Sequence, residues 1–431
     1  MAKNYPRRVA VTGIGAVTPI GTGRAKLWAG VQRGVSAVGP VTRFDASPFR
    51  SRLAAEITDF DPVHYLNPRR VRRLDRYAQL ALVAARLAVD DARLDVHGTA
   101  RNRAGVYLGS ALGGVAHGEE QHAAYMAHGP RVVTPTLALA VFGGAAATNV
   151  AIELGWHGPN LSNANSCAAG AAAIGEAFRL IRTGGADVML AGGAEAPLAP
   201  LTFGAFALIK SMSTRNDAPR HASRPFDAAR DGFVMGEGAA LLVLESWEQA
   251  QRRDAPILGE VLGYGLTNDA HHMAAPHPEA RQAARSMRLA LADGGAKARS
   301  VGYVNAHGSS TALGDAAEAV AIRKGLGRYL PQVLVSGTKG LYGHPLGASG
   351  AIEAAITVEA LRTGWLPPTT NLEQPGEEAG DLPFVPAGGL HRRVDYALCN
   401  SFGFGGINVC LLLGRADRAS QRDRPAPGST S

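Results

Sequence analysis

The 431-residue chain is short of cysteine, of aromatic residues and of long apolar runs, and each shortage excludes a class of protein. Three cysteines, Cys167, Cys399 and Cys410, are too few for a disulfide framework and are typical of the reducing cytoplasm, where any of them could be a nucleophile. No stretch approaches about 18 continuous apolar residues, so no membrane span is predicted. The apolar N-terminal run contains Gly13 and Gly15, which favours a buried strand entering a glycine turn over a secretory signal.

Lysine is also scarce, because only six of the 44 basic residues are lysine and 38 are arginine. The net charge of +8 indicates an acidic partner but does not distinguish nucleic acid, membrane and protein. The basic run PRRVRRLDRY, residues 68–77, is predicted to begin a helix. No nucleic-acid-binding motif accompanies it, so its simplest interpretation is a solvated helix face.

Short apolar runs alternate with alanine-rich helical stretches, which predicts an α/β protein whose sheets are buried between helices. Strands are predicted at residues 8–14, 103–108, 188–191, 239–244, 259–264, 301–305, 333–336, 396–400 and 409–413, and helices at 76–91, 168–182, 279–293 and 348–362. The charged stretch 245–254 is interpreted as a join. We therefore expect two α/β halves, residues 1–250 and 257–415, followed by a disordered tail, 416–431.

Cys167 lies between a strand-like segment and a predicted helix of small residues, in NANSCAAGAAAIGEA. A thiol at a helix N-terminus faces unpaired N–H groups and the positive end of the helix dipole, which predicts a lowered pKa and a nucleophilic thiolate. The alternative is an inert buried cysteine, which is the common fate of free cysteine. Cys399 and Cys410 lie in apolar strands, where the inert interpretation is favoured.

Two histidines follow predicted strands. His307 comes after VGYVNA in a loop of Gly, Ser and Thr, and His344 follows a second strand, with Lys339 just before it. The carboxyl ends of strands are where α/β sheets bind ligands, so both histidines are candidate site residues. The segment NSFGFGG carries Gly403, Gly405 and Gly406, which would let backbone N–H groups approach a ligand as oxyanion donors.

In chain order, the segments NSCAAG, NAHGSST, SGTKGLYGH and NSFGFGG resemble the motifs of the condensing β-ketoacyl-acyl carrier protein synthases. The resemblance is strongest to the type II elongating ketosynthases of the thiolase superfamily and covers about residues 8–413. It implies a five-layer αβαβα sandwich built from two similar halves, usually dimeric through the strand before the cysteine. It also implies decarboxylative condensation of an acyl group with malonyl-acyl carrier protein.

The resemblance also implies roles for individual residues. Cys167 would accept the acyl group, with His307 and His344 completing the triad and Lys339 and Glu353 as a supporting pair. The remaining implied residues are the oxyanion-hole amides of Cys167 and Phe404, the pantetheine contacts Ser309 and Thr311, the acyl-pocket residues Leu112 and Phe404, and an arginine docking surface of Arg69, Arg72, Arg73, Arg131 and Arg215 for the acidic carrier protein. No cofactor and no metal are expected, because phosphopantetheine arrives on the carrier.

Several positions depart from the family pattern. Ser309 stands where threonine is usual, Gly340 and Tyr342 replace small or hydroxyl residues, and Ala274 replaces a common threonine. These departures leave open whether the chain elongates a polyketide or polyene or is a housekeeping fatty-acid synthase. They also leave open whether its partner is a second copy or a cysteine-less chain-length-factor homologue. Cys167 argues that this chain is the catalytic member of any such pair, rather than a non-catalytic scaffold.

Two other interpretations are less favoured. GIGAVTPIG contains G-x-G, but Thr18 stands at the third glycine position of a dinucleotide-binding fingerprint, so the fingerprint fails. His271, His272 and His277 could suggest a metal site, but no set of acidic or cysteine ligands accompanies them. We therefore expect a loop there, and neither nucleic acid nor membrane as a partner.

Overall fold

The computed structural model describes residues 6–418. Its strands are β1 Val9–Thr18, β2 Gly21–Thr22, β3 Gly39–Pro40, β4 Leu53–Ala55, β5 Ala104–Gly109, β6 Asn160–Asn163, β7 Val188–Glu195, β8 Met235–Gly236, β9 Gly238–Ser246, β10 Gly259–Asn268, β11 Val301–Ala306, β12 Leu334–Gly337, β13 Trp365–Leu366, β14 Leu390–His391, β15 Tyr396–Gly403 and β16 Ile407–Gly414. Its helices are α1 Arg24–Arg33, α2 Pro68–Val71, α3 Arg76–Asp91, α4 Val115–His128, α5 Leu137–Val141, α6 Ala145–Leu154, α7 Ala169–Arg182, α8 Pro200–Leu208, α9 Trp247–Arg252, α10 Arg281–Asp293, α11 Ala312–Leu326, α12 Lys339–Tyr342 and α13 Ser349–Thr363.

Ten of these strands form two sets of five with the same order. The first set runs β6-β5-β7-β9-β1 and the second runs β12-β11-β15-β16-β10. In both sets the three strands farthest from the junction are parallel and the remaining pairings are antiparallel. The sets join at one edge, where Val9–Val11 of β1 pairs with Gly259–Val261 of β10. The chain therefore repeats one topology twice, and we call the two sets the first and second half-sheets.

Helices cover both faces of each half-sheet and produce five layers. Helices α3 and α6 pack on the outer face of the first half-sheet, and α10 and α11 pack on the outer face of the second. Helices α7 and α13 lie between the two half-sheets and pack against each other. This arrangement confirms the predicted αβαβα sandwich. The division into domains at about residue 250 stays a prediction.

Small residues make the central layer possible. Ten of the 14 residues of α7 and all but two residues of α13 are buried. Gly170 and Gly350 lie where the two helices cross, and a Cβ atom at either position would come within about 3 Å of the other helix. The stretch AAGAAAIG thus has mostly short side chains, which let this helix fit between the two half-sheets.

The predicted elements agree with the structure in most places, and the differences have local causes. Helix α3 has the predicted bounds, Arg76–Asp91. The basic run 68–77 begins the short helix α2, which ends at Val71, and Asp75 then caps the separate helix α3 by accepting the N–H of Tyr77 at 2.8 Å. The join at 245–254 contains α9. Of the predicted tail 416–431, residues 419–431 lie outside the described residues.

Candidate active site

Cys167 lies in a 3₁₀ turn, Ser166–Ala168, directly before α7, rather than within the first turn of the helix itself. Ser166 has a φ of 50°, the left-handed region that ordinary residues rarely adopt. The turn presses against Gly403 at the end of β15, where a Cβ atom would lie 3.2 Å from the Cys167 nitrogen. Cys167 as a whole residue is 5 % exposed. A sharp, partly strained turn therefore holds the sulfur in place.

The prediction of a lowered thiol pKa is wrong. Burial raises the pKa of Cys167 above its ordinary value, and this outweighs the lowering by the Ser166 hydroxyl, the Phe404 backbone N–H and the Lys339 charge. Desolvation favours the neutral form of a thiol. The resting site therefore holds a protonated thiol, whose proton has to leave when a substrate arrives.

His307 follows β11, and hydrogen bonds from the backbone of its loop hold it in place. The N–H groups of His307 and Gly308 donate to the two carboxylate oxygens of Glu318, at 2.8 and 2.7 Å. Its ring Nδ1 lies 3.3 Å from Lys339 Nζ. Because an ammonium can only donate, Nδ1 accepts and the ring proton lies on Nε2. His307 is therefore oriented with one donor free.

His344 reaches the same place from the turn after α12. Its Nδ1 lies 2.8 Å from the Ser349 hydroxyl, and its backbone N–H donates to Val234 O at 2.7 Å. The two imidazole rings are 5.3 Å apart between centroids and nearly perpendicular, at 80°. Burial, together with the charge of Lys339, lowers the pKa of both histidines well below 6.5, so both rings are neutral near pH 7.

Lys339 and Glu353 form an ion pair in which both side chains have no exposure. Lys339 Nζ also donates to the His307 carbonyl oxygen. Burial raises the pKa of Glu353, while the neighbouring Lys339 ammonium opposes that rise. The pair thus holds the Lys339 ammonium behind His307.

Cys167, His307 and His344 line one cavity of about 340 Å³. The hairpin between β15 and β16 forms one of its walls, and Gly405 and Gly406, with φ of 84° and 75°, make the turn that presents Phe404. The Phe404 ring stacks on Phe206, with centroids 6.3 Å apart. The structure therefore brings together the three segments that were predicted to follow strands, namely those of His307, His344 and Phe404.

Most predicted pocket residues lie in this cavity, and Leu112 does not. Ser309, Thr311 and Ala274 line it, and the Ser309 and Thr311 hydroxyls are 2.8 Å apart. Thr311 also caps α11 by accepting the Gly314 N–H at 3.1 Å. Leu112 packs instead in the apolar cluster that contains Cys167.

The departures Gly340 and Tyr342 lie in the core and are absent from the cavity lining. Both are buried, and the Tyr342 hydroxyl lies 2.8 Å from the hydroxyl of Thr338. A Cβ atom at Gly340 would come 2.7 Å from the Thr370 carbonyl oxygen, so the backbone leaves no room there. These two positions therefore shape the packing around Lys339 rather than contact a ligand.

The proposed docking arginines differ in their surroundings. Arg69, Arg72, Arg73 and Arg131 are exposed, whereas Arg215 is half-buried and donates to the Ala229 carbonyl oxygen at 3.0 Å. The described residues provide no salt bridge to the four exposed arginines. Their charges are therefore available at the surface.

Sequence reasoning missed three polar residues that organise the site. Glu318 holds the loop of His307, Ser349 holds the ring of His344, and Glu195 joins two loops beside Cys167. Glu195 and Glu318 could have been found as acids within otherwise apolar segments, since a buried carboxylate needs partners.

Two further observations limit other types of site. The His272 ring Nδ1 accepts the N–H groups of Ala274 and Ala275, at 3.0 and 3.1 Å, so it serves its own loop. Within residues 6–418, no three His, Cys, Asp or Glu side chains are grouped to hold a metal ion. In the same range, no helix has the length and apolar character needed to cross a membrane.

Residues 6–250 match the family model for the β-ketoacyl synthase N-terminal domain, and residues 258–373 match the model for its C-terminal domain. The chain belongs to the β-ketoacyl synthase family. It is 44% identical over 413 residues to 3-oxoacyl-[acyl-carrier-protein] synthase 2 of Synechocystis sp., covering 96% of this chain and 99% of that protein. It is 43% identical over 409 residues to the synthase of the same name from Coxiella burnetii, covering 95% and 99%.

Solved β-ketoacyl synthase structures have the same fold. A type II polyketide ketosynthase, solved with its acyl-carrier protein and bound to the hexaketide, superposes with a TM-score of 0.88 and 33% identity, covering 95% of this chain and 100% of that one. A β-ketoacyl synthase from Burkholderia phymatum gives 0.88 and 35%, with the same coverage. The ishigamide ketosynthase/chain length factor gives 0.89 and 34%, covering 95% and 99%.

Proposed function

We propose that this chain catalyses decarboxylative Claisen condensation between an acyl group carried on Cys167 and malonyl-acyl carrier protein, giving a β-ketoacyl-carrier product. The observation that carries the proposal is the meeting of Cys167, His307 and His344 in one cavity, with both rings neutral. The names of the relatives support the same reaction.

In the first step, Cys167 sulfur attacks the carbonyl carbon of an incoming thioester. The new C–S bond forms while the bond to the carrier sulfur breaks, and the proton of the Cys167 thiol ends on the released carrier thiol. Backbone N–H groups of Cys167 and Phe404 would stabilise the tetrahedral oxyanion, each by about 3 kcal/mol. The backbone nitrogen of Cys167 lies close to Gly403, which directly precedes Phe404, and this closeness supports the assignment.

In the second step, the malonyl group loses carbon dioxide and leaves an enolate of the thioester. Lys339 donates to Nδ1 of His307, and with the Ser349 hydroxyl donating in the same way to Nδ1 of His344, both Nε2 atoms would carry a proton to donate to the enolate oxygen. Neutral donors stabilise this oxygen without needing a metal. The enolate carbon then attacks the acyl carbon, and the bond to Cys167 breaks to release its thiolate, which takes up one proton from solvent to regenerate the thiol.

Lys339 and Glu353 would support this chemistry from behind His307. The ammonium keeps Nδ1 an acceptor and its charge opposes protonation of the ring. Ser309 and Thr311, at one side of the cavity, would contact the pantetheine arm that the carrier protein inserts. The chain itself then needs no resident cofactor, because the reactive thioester arrives on that arm.

The exposed arginines Arg69, Arg72 and Arg73 would receive the acidic carrier protein, with Arg131 and Arg215 as further contacts. Complementary charge speeds encounter between such partners. Strand β6 ends the first half-sheet and is largely exposed, including Leu161 at 41%. We propose dimerisation through this strand, with a second copy or with a chain-length-factor homologue that lacks the cysteine.

The pathway is assigned by the product. A fatty-acid synthase would extend saturated acyl groups once, as the names of the curated relatives favour. A polyketide ketosynthase would extend unreduced β-keto chains repeatedly, as the solved type II polyketide relative favours. Incubation with a panel of acyl-carrier proteins, followed by identification of the elongated product, distinguishes the two.

The experiment that tests the reaction separates its two halves. Incubation with acyl-carrier protein should add the mass of the acyl group to Cys167 of the wild-type chain. The Cys399→Ala variant should be acylated at Cys167 to the same extent. Cys167→Gln should still release carbon dioxide from malonyl-carrier protein, whereas His307→Ala should not. The reverse pattern, or acylation at another residue, would refute the assigned roles.

A further inference from the structure

Glu195, the last residue of β7, is fully buried and accepts four hydrogen bonds. One carboxylate oxygen accepts the Ser110 hydroxyl at 3.0 Å and the Leu112 N–H at 3.1 Å. The other accepts the Ala111 N–H at 2.6 Å and the Gly347 N–H at 2.9 Å. A single carboxylate therefore ties the loop after β5 to a turn that belongs to the second half of the chain.

That turn leads directly from His344 to α13. It is a 3₁₀ turn, Leu346–Ala348, and Leu346 has a φ of 34°, in the left-handed region. Leu346 packs in the same apolar cluster as Cys167, and Gly347 lies so near the first turn of α7 that a Cβ atom at Gly170 would come 2.8 Å from its carbonyl oxygen. Glu195 thus holds a strained turn that follows His344 in the chain and packs with Cys167.

The repeated topology gives this contact a counterpart. Glu195 ends β7 and Gly403 ends β15, which are the central strands of their half-sheets and are each eight residues long. Gly403 lies against the backbone nitrogen of Cys167, and Glu195 binds the backbone nitrogen of Gly347. At the first place a glycine, which has no side chain, lies against the Cys167 amide, and at the second the Glu195 carboxylate accepts the Gly347 N–H.

We infer that Glu195 is a positioning residue, whose carboxylate fixes the 110–112 loop and the 346–348 turn so that Cys167 and His344 face the same substrate. The inference rests on the proposed function. Losing hydrogen bonds to a buried carboxylate costs free energy, because donors left unpaired in the interior cannot bond to water instead. Burial raises the pKa of Glu195 to about 7, and above that pH its negative charge near the thiol opposes thiolate formation.

The test compares Glu195→Gln with Glu248→Gln, a matched change at an exposed position on α9. The NH₂ of glutamine cannot accept from a backbone N–H, so one of the four bonds is lost where it replaces the oxygen bound by Ser110 and Leu112, and two where it replaces the other. The kcat for acyl transfer to Cys167 should fall about tenfold or more, since small misplacements of reacting groups are costly. The KM for acyl-carrier protein should stay within about twofold, because docking at the surface is untouched.

A second readout does not depend on turnover. Iodoacetamide alkylation of Cys167, followed against pH, should shift to lower pH in Glu195→Gln and stay in place in Glu248→Gln, because a charge that opposes the thiolate is removed. A folded Glu195→Gln with unchanged kcat and unchanged alkylation profile would overturn the inference. So would a kcat that falls only in proportion to a loss of folded protein, which would assign Glu195 to stability alone.

Ser110→Ala keeps the test decisive if Glu195→Gln does not fold. It removes one of the four hydrogen bonds, so kcat should fall about twofold to fivefold with KM unchanged. An unchanged kcat would count against the inference. If the wild-type chain is not acylated at Cys167 by any carrier substrate, the proposed function fails instead, and the alkylation profile still reports on Glu195.

Discussion

Replacing Lys339 by methionine should destabilise the protein strongly, because it leaves the Glu353 carboxylate alone in the core. Both side chains are fully buried, and Lys339 also donates to the His307 carbonyl oxygen. A pair of unit charges about 4 Å apart is worth about 4 kcal/mol at an effective dielectric constant of about 20. Removing one partner of a buried pair typically costs about 3–5 kcal/mol. We expect Lys339→Met to lower the free energy of unfolding by that amount.

The matched control is Arg179→Met, which breaks the pair between Arg179 and Glu176 on α7, where the side chains are 48% and 33% exposed. Screened surface pairs contribute under about 1 kcal/mol, so this variant should unfold near the wild-type denaturant concentration. The double variant Lys339→Met/Glu353→Leu should recover about half or more of the loss, since no uncompensated charge remains. Equilibrium urea unfolding followed by circular dichroism measures all three.

The cost of Lys339→Met should also depend on pH in a stated direction. Burial raises the pKa of Glu353 and Lys339 opposes that rise, so the variant raises it further. The folded state then binds the proton more tightly than the unfolded state, and stability falls as pH increases from the ordinary glutamate value. The deficit should therefore shrink at low pH. A deficit under about 1 kcal/mol, or one that does not vary with pH, would refute the buried ion pair.

Two further predictions concern activity. Because burial lowers the pKa of His307 and His344 well below 6.5, malonyl decarboxylation by Cys167→Gln should stay constant from pH 8 down to 6.5 and fall only below that; a midpoint above 6.5 would contradict neutral donors. Reversing the charges of Arg72 and Arg73 to glutamate should raise the KM for carrier substrates about threefold to tenfold and spare small thioester mimics. The exposed Arg285→Glu should change neither, and equal loss on both substrates would refute the docking surface.

Much of the site was predictable because it follows strand ends. His307 and His344 come after β11 and β12, which are parallel neighbours, so their carboxyl ends meet at one edge. Cys167 joins them because α7 and α13 pack in the same layer. Strand and helix patterns are local, and for that reason these positions could be predicted from the sequence.

The remaining features depend on distant parts of the chain. Glu195 acts on Ser110 and Gly347, which lie 85 and 152 residues away, so no local pattern marks it. The Cys167 pKa was predicted in the wrong direction because the helix start was visible in the sequence and the depth of burial was not. The break before Asp75 likewise depended on a single cap. Burial and long-range hydrogen bonds are consequences of the complete fold.

The duplicated fold also explains why one chain can build a site with unlike groups. Gly170 faces Ala351 and Gly350 faces Ala171, so the two central helices cross about a local two-fold axis. Cys167 lies three residues before Gly170, and Gly347 lies three residues before Gly350. The two places are equivalent in topology, but only the first carries a thiol. At the second place Glu195 accepts the backbone N–H of Gly347. His344, three residues before Gly347, lies in the same cavity as the nucleophile of the other half.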